Sequence, residues 1–219
     1  MSGLEANELS LLGNVVTGKY KVDKRMMLQA DIIRENQVTE TFHCLNDAVV
    51  TRGDYARLID VNIHCEERPV WDVRADGVIV STPTGSTAYS MAAGGPVVSP
   101  ETDCFVVTSI CPHSLIDRSI VFPSSKELYV RVQNDVDNNS IFTADGKRPV
   151  QIDGRTVVRI SKSPYVARLI KVKPDNFYEI LRKRSLKGDW DEEKTTGKDP
   201  GDHLQIRDGN PGGFAKIFA

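Results

Sequence analysis

Asp76-Gly77-Val78-Ile79-Val80-Ser81-Thr82-Pro83-Thr84-Gly85-Ser86-Thr87-Ala88-Tyr89-Ser90-Met91-Ala92-Ala93-Gly94-Gly95-Pro96 concentrates more chemistry than any other stretch of the chain. The apolar run at 78–80 is short, β-branched and followed by turn residues, which predicts a buried strand. Five hydroxyl residues follow, bent by Pro83 and Gly85. Ser86 or Thr87 is placed to cap a helix that the Ala-rich segment 88–93 suits, and Gly94-Gly95-Pro96 stops it. A buried strand running into a hydroxyl-rich turn and a helix N-terminus is a ready place for an anion or polar ligand. An ordinary strand-turn-helix, its hydroxyls bracing the turn, fits the same residues equally well. The stretch is no Walker A loop, because no Gly-Lys-Ser/Thr closes it, and no nucleophile elbow, which needs Gly-x-Ser-x-Gly.

Outward from this stretch, short strands recur. Alternation over 26–32 and again over 38–45, with Glu35-Asn36-Gln37 between them, predicts an antiparallel hairpin. Residues 58–63, 105–110, 120–122, 128–132, 140–144, 157–161 and 167–172 read as further strands with Pro and Gly punctuation. That spacing points to a mainly β fold, a β-sandwich with a few short helices. At the start, Ser2 and Glu5 have capping-box spacing, and Leu4, Leu12, Val15 and Val16 share a helical face that Gly18 ends. Residues 177–183 read as an amphipathic helix. The expected organisation is an N-terminal helix at 1–18, a β-sandwich domain at 19–187 and a flexible, Gly-, Asp- and Lys-rich tail at 188–219.

Composition sets the outer limits. The 219 residues are 40% hydrophobic and 26% charged, with net charge −2, the profile of a soluble globular protein rather than one built to grip nucleic acid. No apolar run approaches membrane-spanning length, and the first residues lack a signal peptide's basic and apolar regions. Cys44, Cys65, Cys104 and Cys111 are scattered without zinc or disulfide spacing, and are expected to be reduced thiols of a cytoplasmic protein. The four histidines are equally scattered, so no His-based metal site is expected.

Asp76-Gly77 with 82–90 and Gly94-Gly95-Pro96 resembles the C-terminal domain of NAD kinases, which phosphorylate the adenosine-ribose 2′-hydroxyl of NAD to make NADP. The resemblance runs over about residues 14–186 and implies that family's β-sandwich. Leu45-Asn46-Asp47 reads by itself as a bulge or turn. The resemblance instead places Asn46 and Asp47 at the ribose hydroxyls, where acceptor groups suit a diol. The family pair is commonly Asn-Glu, so Asp47 is shorter by a methylene. By the same resemblance Asp76, Thr87 and Ala88 lie around the adenine, Tyr89 packs on the ligand, and Arg57 and Arg74 lie near its phosphates. Thr84 and Ala92 belong to the same set, and Ala92 stands where a pocket-facing Ser is frequent. His113, within Ile110-Cys111-Pro112-His113-Ser114, is expected to be structural. Asp145-Gly146 matches a later family motif, with Lys147 where Gln is frequent.

One family feature is absent from this sequence. The catalytic aspartate of NAD kinases lies in a Gly-Gly-Asp-Gly motif of an N-terminal α/β domain, and these 219 residues contain no such string. Too few residues precede Gly18 to hold that domain. The implied substrates are NAD and ATP, with Mg²⁺ accompanying ATP, and the implied assembly is a homodimer or homotetramer. Alongside the kinase stand two other readings: a non-catalytic NAD(P)-binding or regulatory subunit, and a related lipid kinase.

Overall fold

A computed structural model describes residues 6–53, 57–114, 117–133, 140–173, 177–179 and 181–182. Twelve strands are assigned among them: β1 (Lys21–Arg34), β2 (Gln37–Cys44), β3 (Asp47–Arg52), β4 (Ile59–Cys65), β5 (Arg68–Ala75), β6 (Gly77–Ser81), β7 (Cys104–Ile110), β8 (Ile120–Pro123), β9 (Leu128–Gln133), β10 (Ser140–Ala144), β11 (Val150–Ile152) and β12 (Val157–Lys171). They form two six-stranded sheets, ordered β2-β1-β12-β9-β4-β5 and β11-β10-β3-β6-β7-β8. Every pairing is antiparallel. The expected mainly β sandwich is the fold observed.

Period-two alternation builds the core. Leu28, Ala30 and Ile32 of β1, Leu128 and Val130 of β9, and Val158 and Ile160 of β12 turn inward from the first sheet. Ala48 and Val50 of β3, Val78 and Val80 of β6, Phe105 and Val107 of β7, and Phe142 of β10 meet them from the second. Phe42 of β2 and Phe142 pack tilted, their ring centroids 5.2 Å apart, and so join the two sheets at one edge. The central strand β6 is buried at all five positions. Ile79 and Val106 are fully buried yet lie outside the inter-sheet cluster, because the segment after β6 covers that outer face.

Several sequence expectations are refined. The 26–32 and 38–45 hairpin is β1–β2, joined at Glu35 and Asn36, both at positive φ (50° and 61°), a two-residue turn whose twist matches the strands. Strands β5 and β11 went unpredicted: β5 is an edge strand interrupted by Pro69 and mostly exposed, and β11 has only three residues. The segments 157–161 and 167–172 are one strand, not two. A bulge carries β12 past β1, with Met26 opposite Val166 and Leu28 opposite Lys162, so Pro164 falls where no ladder bond is required. Of the N-terminal helix expected at 1–18, the described residues show a 3₁₀ turn (Ala6–Leu11) running into α1 (Leu12–Val16), which buries none of its residues. Gly18, at φ 72°, follows it. The capping box at 2–5 and the tail at 188–219 lie outside the described residues. The described residues up to 177 belong to one compact unit, and beyond it residues 178–179 and 181–182 are helical.

Candidate functional site

The segment following β6 is held down by its own hydroxyls. Thr82 is fully buried; its Oγ1 donates to the Leu45 carbonyl at 2.6 Å and accepts from the Gly85 N–H at 3.1 Å. Its N–H donates to the Asn46 carbonyl at 2.8 Å. Ser86 Oγ donates to the Pro83 carbonyl at 2.7 Å and accepts from the Val98 N–H at 3.0 Å, and Thr87 Oγ1 donates to the Thr84 carbonyl at 3.2 Å. A 3₁₀ turn (Gly85–Thr87) then leads into α2 (Tyr89–Ala92). Neither Ser86 nor Thr87 caps α2, contrary to expectation: both hydroxyls are spent inside the turn, and Ala88 occupies the cap position. The helix ends where expected, with Gly94 at φ 85° accepting the left-handed conformation that a side chain resists.

Gly85 is required by contact rather than by φ. A Cβ there would stand 2.7 Å from Asn46 Cα and closer still to the Asn46 carbonyl. The turn is thus pressed against residues 45–47, and this approach brings the two predicted ligand segments together. Asn46 is half-buried at the bend before β3, while Asp47 opens the strand, 6% exposed. On the far side, Asp145 sits at φ 48° in the Asp-Gly turn after β10. Its carboxylate accepts from three consecutive backbone N–H groups, those of Leu45, Asn46 and Asp47, at 2.9, 2.8 and 3.1 Å. Sequence reasoning had Asp145 only as a motif match; its structural work is to set the backbone of the Asn46-Asp47 pair.

Electrostatics follow from that packing. Burial first, and the neighbouring Asp145 second, push the Asp47 carboxyl up to about 6. Cys44 beneath it is pushed up to about 12 by burial and then by the same two carboxylates, so its thiol stays protonated. Around this centre the accessible surface is made by half-buried Thr84 and Thr87 and exposed Ala88, Tyr89 and Ala92. One neighbour escaped notice: Arg25 of β1 donates from Nη1 to Thr84 Oγ1 at 3.4 Å. Its position in the sequence, 59 residues away, carries no sign of this contact.

Asp76, Arg74 and Arg57 lie elsewhere. Asp76 precedes β6, whereas residues 84–89 follow it. The Asp76 carboxylate pairs with Arg52 at 2.6 Å. Arg74, on edge strand β5, stands 3.8 Å from Asp60 and lines a cavity of about 310 Å³ with Trp71, His113 and Asp117. Arg57 is exposed just before β4. The His113 N–H donates to the Arg74 carbonyl at 2.8 Å, a structural contact that joins β5 to the segment after β7. Among the described residues no group of three or more His, Cys, Asp or Glu side chains is placed to hold a metal, and all four cysteines are free. No described helix is long and apolar enough to cross a membrane.

Comparison with known proteins agrees with this architecture. The ATP-NAD kinase C-terminal domain family matches residues 45–172. The NAD kinase of Symbiobacterium thermophilum is 42% identical over 185 residues, 84% of this chain and 65% of that protein. The NAD kinase of Carboxydothermus hydrogenoformans is 40% identical over 185 residues, 84% of this chain and 66% of its own length. The chain thus spans a little under two thirds of these relatives. Among solved structures, the NAD kinase of Archaeoglobus fulgidus in complex with ATP superposes with TM-score 0.62 at 28% identity, covering 83% of this chain and 64% of that one. Yeast NADH kinase complexed with NADH shares the fold, with TM-score 0.73 at 23% identity over 89% of this chain and 55% of that one.

Proposed function

Because this chain belongs to the NAD kinase family and carries its C-terminal domain, we propose that it supplies the dinucleotide-holding part of an ATP-dependent NAD kinase. The reaction transfers the γ-phosphoryl group of ATP to the adenosine-ribose 2′-hydroxyl of NAD. The observation that carries this reading is the joining of Asn46-Asp47 to the 82–89 turn through Thr82 and Gly85. In the proposed complex, Asn46 and the Asp47 carboxylate take the ribose hydroxyls, Thr84, Thr87 and Ala88 border the base, and Tyr89 packs on the ligand. Ala92 adds apolar surface beside it.

The chemistry needs the attacking hydroxyl oriented, its proton removed and the γ-phosphate charge offset. This chain's residues serve the first need. No Gly-Gly-Asp-Gly aspartate occurs in its 219 residues, and no described cluster offers a protein-held Mg²⁺ site. Mg²⁺ in this proposal arrives with the ATP phosphates, and no step is assigned to a metal held by these residues. We place the protein in the cytoplasm, a reading supported by its four free cysteines. A second copy of the chain is the expected partner, in keeping with the half-exposed apolar residues Val22, Val166 and Ile170.

Two measurements on the purified chain test the proposal. Calorimetry should show NAD binding that Asn46→Ala weakens, and NADP formation from NAD, ATP and Mg²⁺ should stay near background. Failure to bind NAD sinks the reading. Robust turnover by the chain alone means that another residue here acts as base. The alternative of a binding or regulatory subunit predicts that the chain binds NAD yet stays inactive when an aspartate-bearing α/β domain is added. A lipid-kinase reading predicts instead that a lipid head group displaces NAD.

A further inference from the structure

We infer that Arg25 is an anion-binding residue of this site, taking phosphate oxygens of the bound nucleotide with a guanidinium carried from β1 to the rim of the 82–89 turn. The inference rests on the reading of that turn as part of the nucleotide site. Arg25 stands on the other sheet, and its side chain, 19% exposed, reaches Thr84. Nη2 donates to Asp23 at 2.5 Å, and Nη1 makes only a long bond of 3.4 Å to Thr84 Oγ1. Nε is buried and has no hydrogen-bond partner among the described residues.

An arginine used only to clip β1 to the turn would direct its five donors to protein acceptors, as buried polar groups almost always do. This one leaves its fork underused beside a turn whose other hydroxyls are already committed. Thr82, Ser86 and Thr87 each donate to a backbone carbonyl, so their protons are already committed, and a neutral hydroxyl offsets no phosphate charge. The ionisable groups beside Asn46 include two carboxylates, Asp47 and Asp145, which repel the phosphates of a dinucleotide. A planar, permanently charged fork at the rim offsets that repulsion and matches phosphate geometry. Asp23 shares the guanidinium, holding it in place before a ligand arrives.

The test is calorimetry on the full chain, wild type against Arg25→Gln and Arg25→Lys, with NAD, ATP, adenosine and inorganic pyrophosphate. Arg25→Gln should weaken NAD about 10–100-fold, the worth of a lost charge-assisted hydrogen bond, and leave adenosine unchanged. Arg25→Lys should recover part of that loss, because an ammonium keeps the charge without the fork. A loss confined to ATP supports the anion site and assigns the phosphate to the phosphoryl donor. Unchanged affinity for both nucleotides in Arg25→Gln overturns the inference, and so does a parallel loss of adenosine, which marks a collapsed turn. Where Arg25→Gln does not fold, Arg25→Lys decides: weaker NAD with unchanged adenosine supports the inference, and equal NAD affinity overturns it. If the wild type binds no NAD, the dinucleotide reading fails on its own. Arg25-dependent pyrophosphate binding then still upholds the anion site, and its absence removes it.

Discussion

Asp47 carries opposite demands of stability and binding. Its carboxyl, pushed up to about 6 from 3.8, holds a proton in the folded chain at pH values where the unfolded chain has lost it. Stability therefore falls as pH rises from about 4 to about 6, and the full cost of roughly 3 kcal/mol persists above that. Asp47→Asn should stabilise the protein by up to that amount at pH 8 and by almost nothing at pH 4, read from urea midpoints. NAD affinity should show the reverse dependence. Wild type should lose affinity as pH falls through about 6, where the carboxylate stops accepting from the ribose, while Asp47→Asn should bind weakly at every pH. A wild-type affinity flat from pH 5 to 8 would remove Asp47 from the ribose. Gly85 makes a second residue-scale case. Gly85→Ala drives a methyl group into the Asn46 backbone, which cannot yield as a side chain would. It should cost about 1–3 kcal/mol and abolish NAD binding, whereas equal stability would mean the turn and Asn46 are less tightly pressed.

Strand pairing on the outer face of the first sheet depends on a buried carboxylate. Asp31 of β1 is 1% exposed and accepts from Thr41 of β2 at 2.7 Å and from Arg159 Nη2 of β12 at 2.6 Å. Burial pushes its carboxyl up, but Arg159, Thr41 and Gln29 together outweigh burial and hold it below the usual carboxylate range. Such a group stabilises the fold above its unfolded value near 4, and the contribution disappears as pH falls through its lower folded value. Asp31→Ala should destabilise by about 2–3 kcal/mol at pH 7, less than for a fully buried pair because Arg159 stays partly in water. The difference between mutant and wild type should shrink as the medium is acidified below pH 4. A pH-independent difference would show that packing, not charge, is what Asp31 supplies.

At the scale of the whole compact unit, the two longest strands outrun their neighbours. β2 pairs with β1 only over residues 28–34, and β9 pairs with β12 only over 157–160. Residues 21–26 and 166–171 therefore pair with each other alone, as a two-stranded ribbon. Val22, Val166 and Ile170 on it are about half exposed. Exposed apolar residues gathered on a ribbon of this kind favour association. The purified chain should scatter light as a dimer or larger, and Val22→Lys combined with Ile170→Lys should shift it towards monomer. A monomeric mass for the wild type at all concentrations would count against the proposed second copy.

Period-two alternation was enough to foresee the sandwich, because in an antiparallel sheet the residue's parity decides which face it shows the core. Leu28, Ala30 and Ile32 or Leu128, Val130 and Val132 can be read as inward-facing with no knowledge of their partners. The hydroxyl-rich stretch after β6 was legible for the same local reason: Pro83 and Gly94 impose their turns wherever they stand, whereas the contact that requires Gly85 joins it to Asn46. Pairing was not legible. Which strand lies beside which decided that Asp145 sets the Asn46-Asp47 backbone, that Arg25 reaches Thr84, and that β12 runs on through Pro164. Local conformational preference and residue parity are properties of short segments and survive in a bare sequence. The contacts that place charges around Asp47 join segments up to about a hundred residues apart, and only the closed sandwich brings them within hydrogen-bonding reach.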